Sequence, residues 1–314
     1  MTEPYLSIIF AARNDNHCEG FMGRFQNSLN ILRDLGDKHR LSFEIIIVEW
    51  NPLPDMPQLK EVLSFKKDLN STVRIITVPY EIHKSVPGTP FDAVRADEIT
   101  FFQNIALNVG ARRAKGKYVI CTNADVIFNE EVISFLAKRQ LSNRYFYRIY
   151  RYDVQKAIPN NMTTEEILEF CRANSILRGK KVENNHLHRK AAGDFFLMAK
   201  KNYEKVRGYP EIKCDGLKID GDILGSANRS YKQIILDDPL RIYHQWHRNR
   251  YETAYNKELH IRRSYKEVHK QAKGFNKIIT QIYKIRRNCN SKNWGLIDYS
   301  LPEEQICCPK NRLP

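Results

Sequence analysis

Near-continuous apolar runs alternate with stretches of helical spacing through the first part of the chain. Tyr5–Phe10 (YLSIIF), Phe43–Val48 (FEIIIV), Val73–Val78 (VRIITV) and Tyr118–Thr122 (YVICT) read as strands buried on both faces. Between them, Phe21, Phe25, Leu29, Leu32 and Leu35 recur at helical spacing, with Gly36 as the expected stop. Leu59–Leu69 and Ile99–Gly110 also read as helices, whereas 79–97, with three prolines and a glycine, reads as a loop. Strands alternating with helices predict an α/β fold with a mostly parallel sheet covered on both faces.

The pattern then loosens. Asn129 is placed to cap a helix through Lys138, with Glu130 and Glu131 at its positive end. Tyr145–Val154 reads as a strand of a second sheet segment, and Thr163 with Glu166 forms a capping box opening a helix to Ala173. Polar, irregular sequence follows from Asn174 to Lys190. Gly193–Ala199 is strand-like, Leu217–Asn228 helical with Asp220 and Asp222 near its start, and Ile234–Leu236 and Leu240–His244 short strands. Beyond Arg248 the sequence reads as basic helix, and Ser291–Pro314 as a loop-rich tail.

Charge changes this picture. Over 314 residues the net charge is +15, and residues 241–290 alone hold 13 Lys/Arg against three Asp/Glu. Such a block favours anionic partners: nucleotide phosphates, nucleic acid or an acidic membrane surface. The seven cysteines form no CxxC pair, which argues against zinc and for reduced thiols. No apolar stretch approaches a membrane span and the start is no signal peptide, so a cytoplasmic location is expected. Neither GxGxxG after the first strand nor GxxxxGK[ST] occurs, which sets aside dinucleotide cofactors and P-loop hydrolysis.

Candidate chemistry gathers where strands end. Asn123-Ala124-Asp125 follows the fourth strand, with Asn108 and Arg112 on the preceding helix; Glu49 and Arg13 follow two others. In an open α/β sheet, ligands bind outside the carboxyl ends of the strands. A carboxylate there, near basic side chains, suits a metal-bound polyphosphate, and Glu49 suits a nucleoside base or ribose. Taken alone, such Asn and Asp residues are more often ordinary turn residues.

The segments SIIFAARND, FEIIIVEWNP, ALNVGARRAKGKYVICTNAD, GDFFLMAKKNYEKVRGYPE, KIDGDIL and RIYHQWH, in this order over residues 5–247, resemble the GT-A fold glycosyltransferases of the family 2 type. That resemblance implies a Rossmann-like nucleotide-binding half over 1–130, an acceptor-binding half over 131–247 and a basic helical extension over 248–314. It implies transfer of a sugar from a nucleoside diphosphate, UDP above all, to a glycan or glycoconjugate hydroxyl with inversion. Asn123 and Asp125 stand in the place of the family's DxD motif, with Asn for the first Asp, so that Asp125 would bind Mn²⁺ or Mg²⁺. His244 would join it as a metal or diphosphate contact, with His247 as a substitute. Ala11, Arg13 and Glu49 match nucleoside-binding positions, Gly193 and Asp194 the acceptor side, and Asp220 the general base, with Asp222 as fallback and Asp215 weaker.

Two other readings stay open: a basic non-catalytic or nucleic-acid-associated protein on the same fold, and a sugar nucleotidyltransferase. The first lacks any nucleic-acid-reading signature, so nucleic acid is not the expected partner. Peripheral contact of the basic extension with an anionic membrane is compatible with its charge. The second would show a glycine-rich basic first loop, which AARNDN is not.

Overall fold

A computed structural model describes residues 3–15, 19–65, 71–89, 92, 96–183, 186–213, 220–248 and 290–307. The strands are β1 (Leu6–Ala12), β2 (Phe43–Trp50), β3 (Thr72–Val78), β4 (Tyr118–Thr122), β5 (Val126–Phe128), β6 (Tyr145–Ile149), β7 (Arg151–Val154), β8 (Ser175–Leu177), β9 (Phe196–Ala199), β10 (Lys232–Leu236), β11 (Ile242–His244) and β12 (Glu303–Cys307). The helices are α1 (Phe21–Lys38), α2 (Leu59–Val62), α3 (Tyr80–Ser85), α4 (Gln103–Arg113), α5 (Glu130–Ala137), α6 (Thr164–Ala173), α7 (Lys200–Val206) and α8 (Asp222–Asn228).

Eight strands form one sheet in the order β10-β6-β9-β4-β1-β2-β3-β12. β4, β1, β2 and β3 run parallel, while β9 and β12 are antiparallel to their neighbours. This is the mostly parallel α/β sheet expected from the apolar runs. Its side chains alternate between two cores. Ile8, Phe10, Ile45 and Ile47 pack with α1 on one face; Ile9, Ile46, Val48 and Cys121 pack with α4 and α7 on the other. Complete burial of a side chain such as Phe25 or Leu29 on α1 contributes roughly 2 kcal/mol.

Gly36 does not end α1, which continues to Lys38. A Cβ there would lie 2.4 Å from the Phe43 ring, so the missing side chain admits β2 close to the helix. The expected caps are present: Asn129 accepts from the Val132 N–H, and Thr163 and Glu166 form a capping box on α6.

A second sheet, β5-β11-β7-β8, lies across the chain's midpoint. β11 runs antiparallel to β5 and parallel to β7, so His244 sits beside both Val126 and Asp153. This crossing brings the end of β11 to the loop that holds Asp125.

The chain's last described part differs from the expected tail. Trp294 is 1% exposed, and β12 pairs antiparallel with β3 at the sheet edge, where Arg74 also forms an ion pair with Glu303. Asn290–Cys307 therefore packs on β3 and α4 as part of the large sheet's layer rather than as a loose tail. The expected basic helix over 249–289 lies outside the described residues. Among the described residues, no helix is long and apolar enough to cross a membrane. Cys121 and Cys171 are free and buried.

Candidate functional site

Three parallel strands end on the same side of the sheet, and their exits carry polar residues with different fates. At the end of β2, Glu49 is 1% exposed; its Oε1 accepts the Leu59 N–H at 2.8 Å, while its Oε2 has no hydrogen-bond partner. Burial pushes its pKa up to about 7. At the end of β1, Arg13 is held by the Asp15 carboxylate (2.8 Å) and by the Thr100 carbonyl (3.0 Å) and hydroxyl. Ala11, one turn of the pleat earlier, is packed in the α4-side core.

After β4, the Asn123 carboxamide bridges two elements. Its Oδ1 accepts from Gln103, the first residue of α4, and its Nδ2 donates to Asp194 Oδ1, both at 2.7 Å. The other Asp194 oxygen accepts from Arg151 Nη1 at 2.7 Å, so this buried carboxylate is fully paired. Gly193, beside it, donates its N–H to Asp220 Oδ2 at 2.9 Å. A Cβ at Gly193 would approach that oxygen to 3.1 Å, which explains why no side chain stands there. Burial, reinforced by the neighbouring Asp194 charge, raises the Asp220 pKa, against the pull of the Gly193 N–H and Arg148.

Two residues beyond Asn123, Asp125 Oδ2 faces His244 Nε2 at 3.4 Å and His247 Nε2 at 3.5 Å. One oxygen and two imidazole nitrogens lie within 4.8 Å of one another, a set fit for a metal ion. The Gln245 N–H donates to the Asp125 carbonyl, extending the β5–β11 ladder and fixing the two segments together. His247 Nδ1 lies 2.9 Å from the Arg248 carbonyl, so Nδ1 carries a proton and Nε2 is the nitrogen turned to the carboxylate. Burial favours the neutral form of Asp125, but His244, His247, Arg24 and Arg151 outweigh it and hold the pKa low. Burial likewise lowers the His247 pKa.

No family model and no curated protein matches the sequence. Among solved structures, S. aureus TarS 1-349 is similar at 15% identity and a TM-score of 0.45, over 76% of this chain and 60% of that one. The same protein in complex with UDP-GlcNAc gives 14%, 0.45, 79% and 61%. The mannosyltransferase PcManGT from Pyrobaculum calidifontis, in complex with GDP-Man and Mn²⁺, gives 14%, 0.44, 84% and 61%. The chain thus spans about three-fifths of the length of these proteins. By its own sheet order, the fold is the mostly parallel α/β arrangement expected from the sequence.

The structure brings together Asn123, Asp194, Gly193 and Asp220 in one bonded group, and Asp125 with His244 and His247 in another, joined through the attraction of Arg151 for both Asp194 and Asp125. It does not bring Asn108 or Arg112 there. Asn108 is fully buried and bonded to the Tyr209 backbone, Tyr203 hydroxyl and Glu211; Arg112 stacks over Trp294 at 4.9 Å, at the far end of α4 from Gln103. Asp222 stays on α8 with a buried, unpaired Oδ2 and a pKa raised by burial to about 7. Asp215 lies outside the described residues. Gln103 and Arg151 were missed. Arg151 sits in the aromatic, basic run 145–154, where only the wider charge pattern hinted at it.

Proposed function

We propose that the chain is a glycosyltransferase moving a sugar from a nucleoside diphosphate, UDP first among donors, to a hydroxyl of a glycan or glycoconjugate. The observation that carries this reading is the convergence of Asp125, His244 and His247 beyond the strand ends. One carboxylate oxygen with two imidazoles suits Mn²⁺ better than Mg²⁺, which prefers all-oxygen surroundings. When bound there, the cation would offset the charge growing on the departing diphosphate. Glu49, expected at the nucleoside, is buried at the neighbouring strand end with Oε1 on the Leu59 N–H and Oε2 closed off from solvent, so no donor contact is assigned to it.

Asp220 is the proposed base. The acceptor oxygen forms a bond to the anomeric carbon while the bond from that carbon to the phosphate oxygen breaks. The electron pair leaves with the nucleotide, and the hydroxyl proton passes to Asp220. Attack opposite the leaving group inverts the anomeric centre. Asp194 and Gly193 flank the base and border the acceptor. The nucleic-acid alternative rests on the basic block, most of which is outside the described residues, and no structural observation favours it.

Calorimetric titration of UDP with Mn²⁺ into wild type and Asp125→Ala, followed by turnover of a UDP-sugar panel, tests the reading. Expected are Mn²⁺-dependent UDP binding lost in Asp125→Ala, and turnover lost with binding kept in Asp220→Asn. Wild type that binds no nucleoside diphosphate with either metal would sink it.

A further inference from the structure

Arg148, on β6, is fully buried, yet no carboxylate lies within ion-pair distance of it among the described residues. Its guanidinium is spent on backbone carbonyls instead. Nη2 donates to Lys190 O at 3.0 Å and Ala191 O at 2.8 Å, Nη1 to Ala192 O at 3.2 Å, and Nε to His188 O at 3.3 Å. A buried cation gathering four successive-loop carbonyls is costly to install for packing alone. The segment it grips is also strained: Ala191 has φ of +51°, a left-handed backbone that a residue with a Cβ adopts only when its surroundings impose it.

That segment runs directly into Gly193 and Asp194. The Gly193 N–H holds Asp220 Oδ2, and Asp194 anchors Asn123 and Arg151. We propose that Arg148 is a positioning residue for Asp220, setting the 188–192 turn so that the Gly193 N–H meets the carboxylate and lending it a nearby positive charge. This rests on the glycosyltransferase reading for its kinetic consequence, but not for its electrostatic one.

The groups facing Asp220 are Asp194 from the turn, Tyr209 after α7, Asp222 on α8 and Arg148 from β6. Asp194 opposes its ionisation, and Asp220 in turn raises Asp222; Arg148 favours ionisation of Asp220, and burial lowers the arginine itself only to about 10, so it stays charged at neutral pH. Removing the cation therefore raises the Asp220 pKa.

The test is ¹³C NMR titration of the aspartate carboxyls in full-length wild type, Arg148→Lys and Arg148→Met, with the Asp220 resonance assigned by Asp220→Asn. The expected result is a pKa higher by about one unit or more in Arg148→Met and a smaller rise in Arg148→Lys. In parallel, kcat falls at least tenfold in Arg148→Met with the UDP–Mn²⁺ Kd changed less than twofold, and the acid limb of the kcat profile moves to higher pH. Arg148→Lys covers the case in which Arg148→Met does not fold, since it keeps the charge and fewer of the carbonyl contacts. An unmoved Asp220 titration in a folded Arg148 variant overturns the proposal. Failure of wild type to turn over any donor counts against the functional reading alone, because the carboxyl titration does not depend on turnover.

Discussion

Asn123 donates its side-chain N–H to Asp194 Oδ1 at 2.7 Å, across 71 residues of sequence. This contact gives a physical reason for asparagine where the resembled motif carries aspartate. Asp194 is buried and already receives Arg151 on its other oxygen. A carboxylate at position 123 would lose the donor and set two negative charges against each other. Asn123→Asp is therefore expected to destabilise the protein by about 1–3 kcal/mol at neutral pH, read as a lower denaturation midpoint. The deficit should shrink in acid, as one carboxyl of the new pair takes up a proton. Equal stability of the two proteins at pH 7 would contradict this account of the site.

Metal binding makes a separate prediction. Mn²⁺ at a hundred times its Kd should stabilise the fold by about 2.7 kcal/mol, and EDTA should reverse the gain. Asp125→Ala, His244→Ala and His247→Ala each remove one of the three converging atoms. Each is expected to abolish most of the Mn²⁺-induced rise in Tm. A variant set in which only Asp125→Ala loses the response would show that the imidazoles tune the carboxylate without ligating.

Glu49 sets a pH dependence whose sign follows from burial. Its folded pKa is about 7, against an ordinary value of 4.5, so the folded state holds a proton the unfolded state has released. The stability linked to Glu49 is full below about pH 4.5 and is lost as pH rises towards about 7. A shift of this size corresponds to something on the order of 3 kcal/mol. Glu49→Gln keeps an acceptor for the Leu59 N–H and removes the titration. The stability difference between Glu49→Gln and wild type should grow in the mutant's favour between pH 4.5 and 7 and flatten above. A constant difference across that range would mean Glu49 is ionised in the fold.

Strong patterns made much of the fold legible. Continuous apolar runs marked β1 to β4, and their parallel pairing followed from the helices between them. β5 was hidden because three residues directly after Asn123-Ala124-Asp125 look like the end of a turn. β12 was hidden because its glutamates suit an exposed sheet edge and carry no apolar alternation. At the site, polar residues at strand ends were visible, but sequence does not say which are already spent. Arg13 is spent on Asp15 and Thr100, and Asn108 on Tyr209, Tyr203 and Glu211; Glu49 keeps one oxygen unpaired but buried. The pairing of Asn123 with Gln103 and Asp194 depends on how α4 and β9 flank β4, which no local pattern encodes.

The segment from Asn290 to Cys307 offers the clearest test of the boundary between core and extension. Trp294 lies under the Arg112 guanidinium and against Tyr203, almost wholly buried. Arg113 donates to the carbonyls of Gly295, Leu296 and Tyr299, and Gly295 takes φ of +70° where an added Cβ would lie 2.9 Å from the Asn108 carbonyl oxygen. A loosely attached tail would tolerate truncation of its side chains. Burial of this kind predicts instead that Trp294→Ala costs about 3–5 kcal/mol in urea denaturation, comparable to a central core residue. Because Trp294 packs on Arg112 at the far end of α4 from Gln103, which holds Asn123, the damage should stay in stability and leave UDP–Mn²⁺ affinity near wild type while the protein is folded. A cost below about 1 kcal/mol would return this segment to the status of a tail that adds little to the sheet.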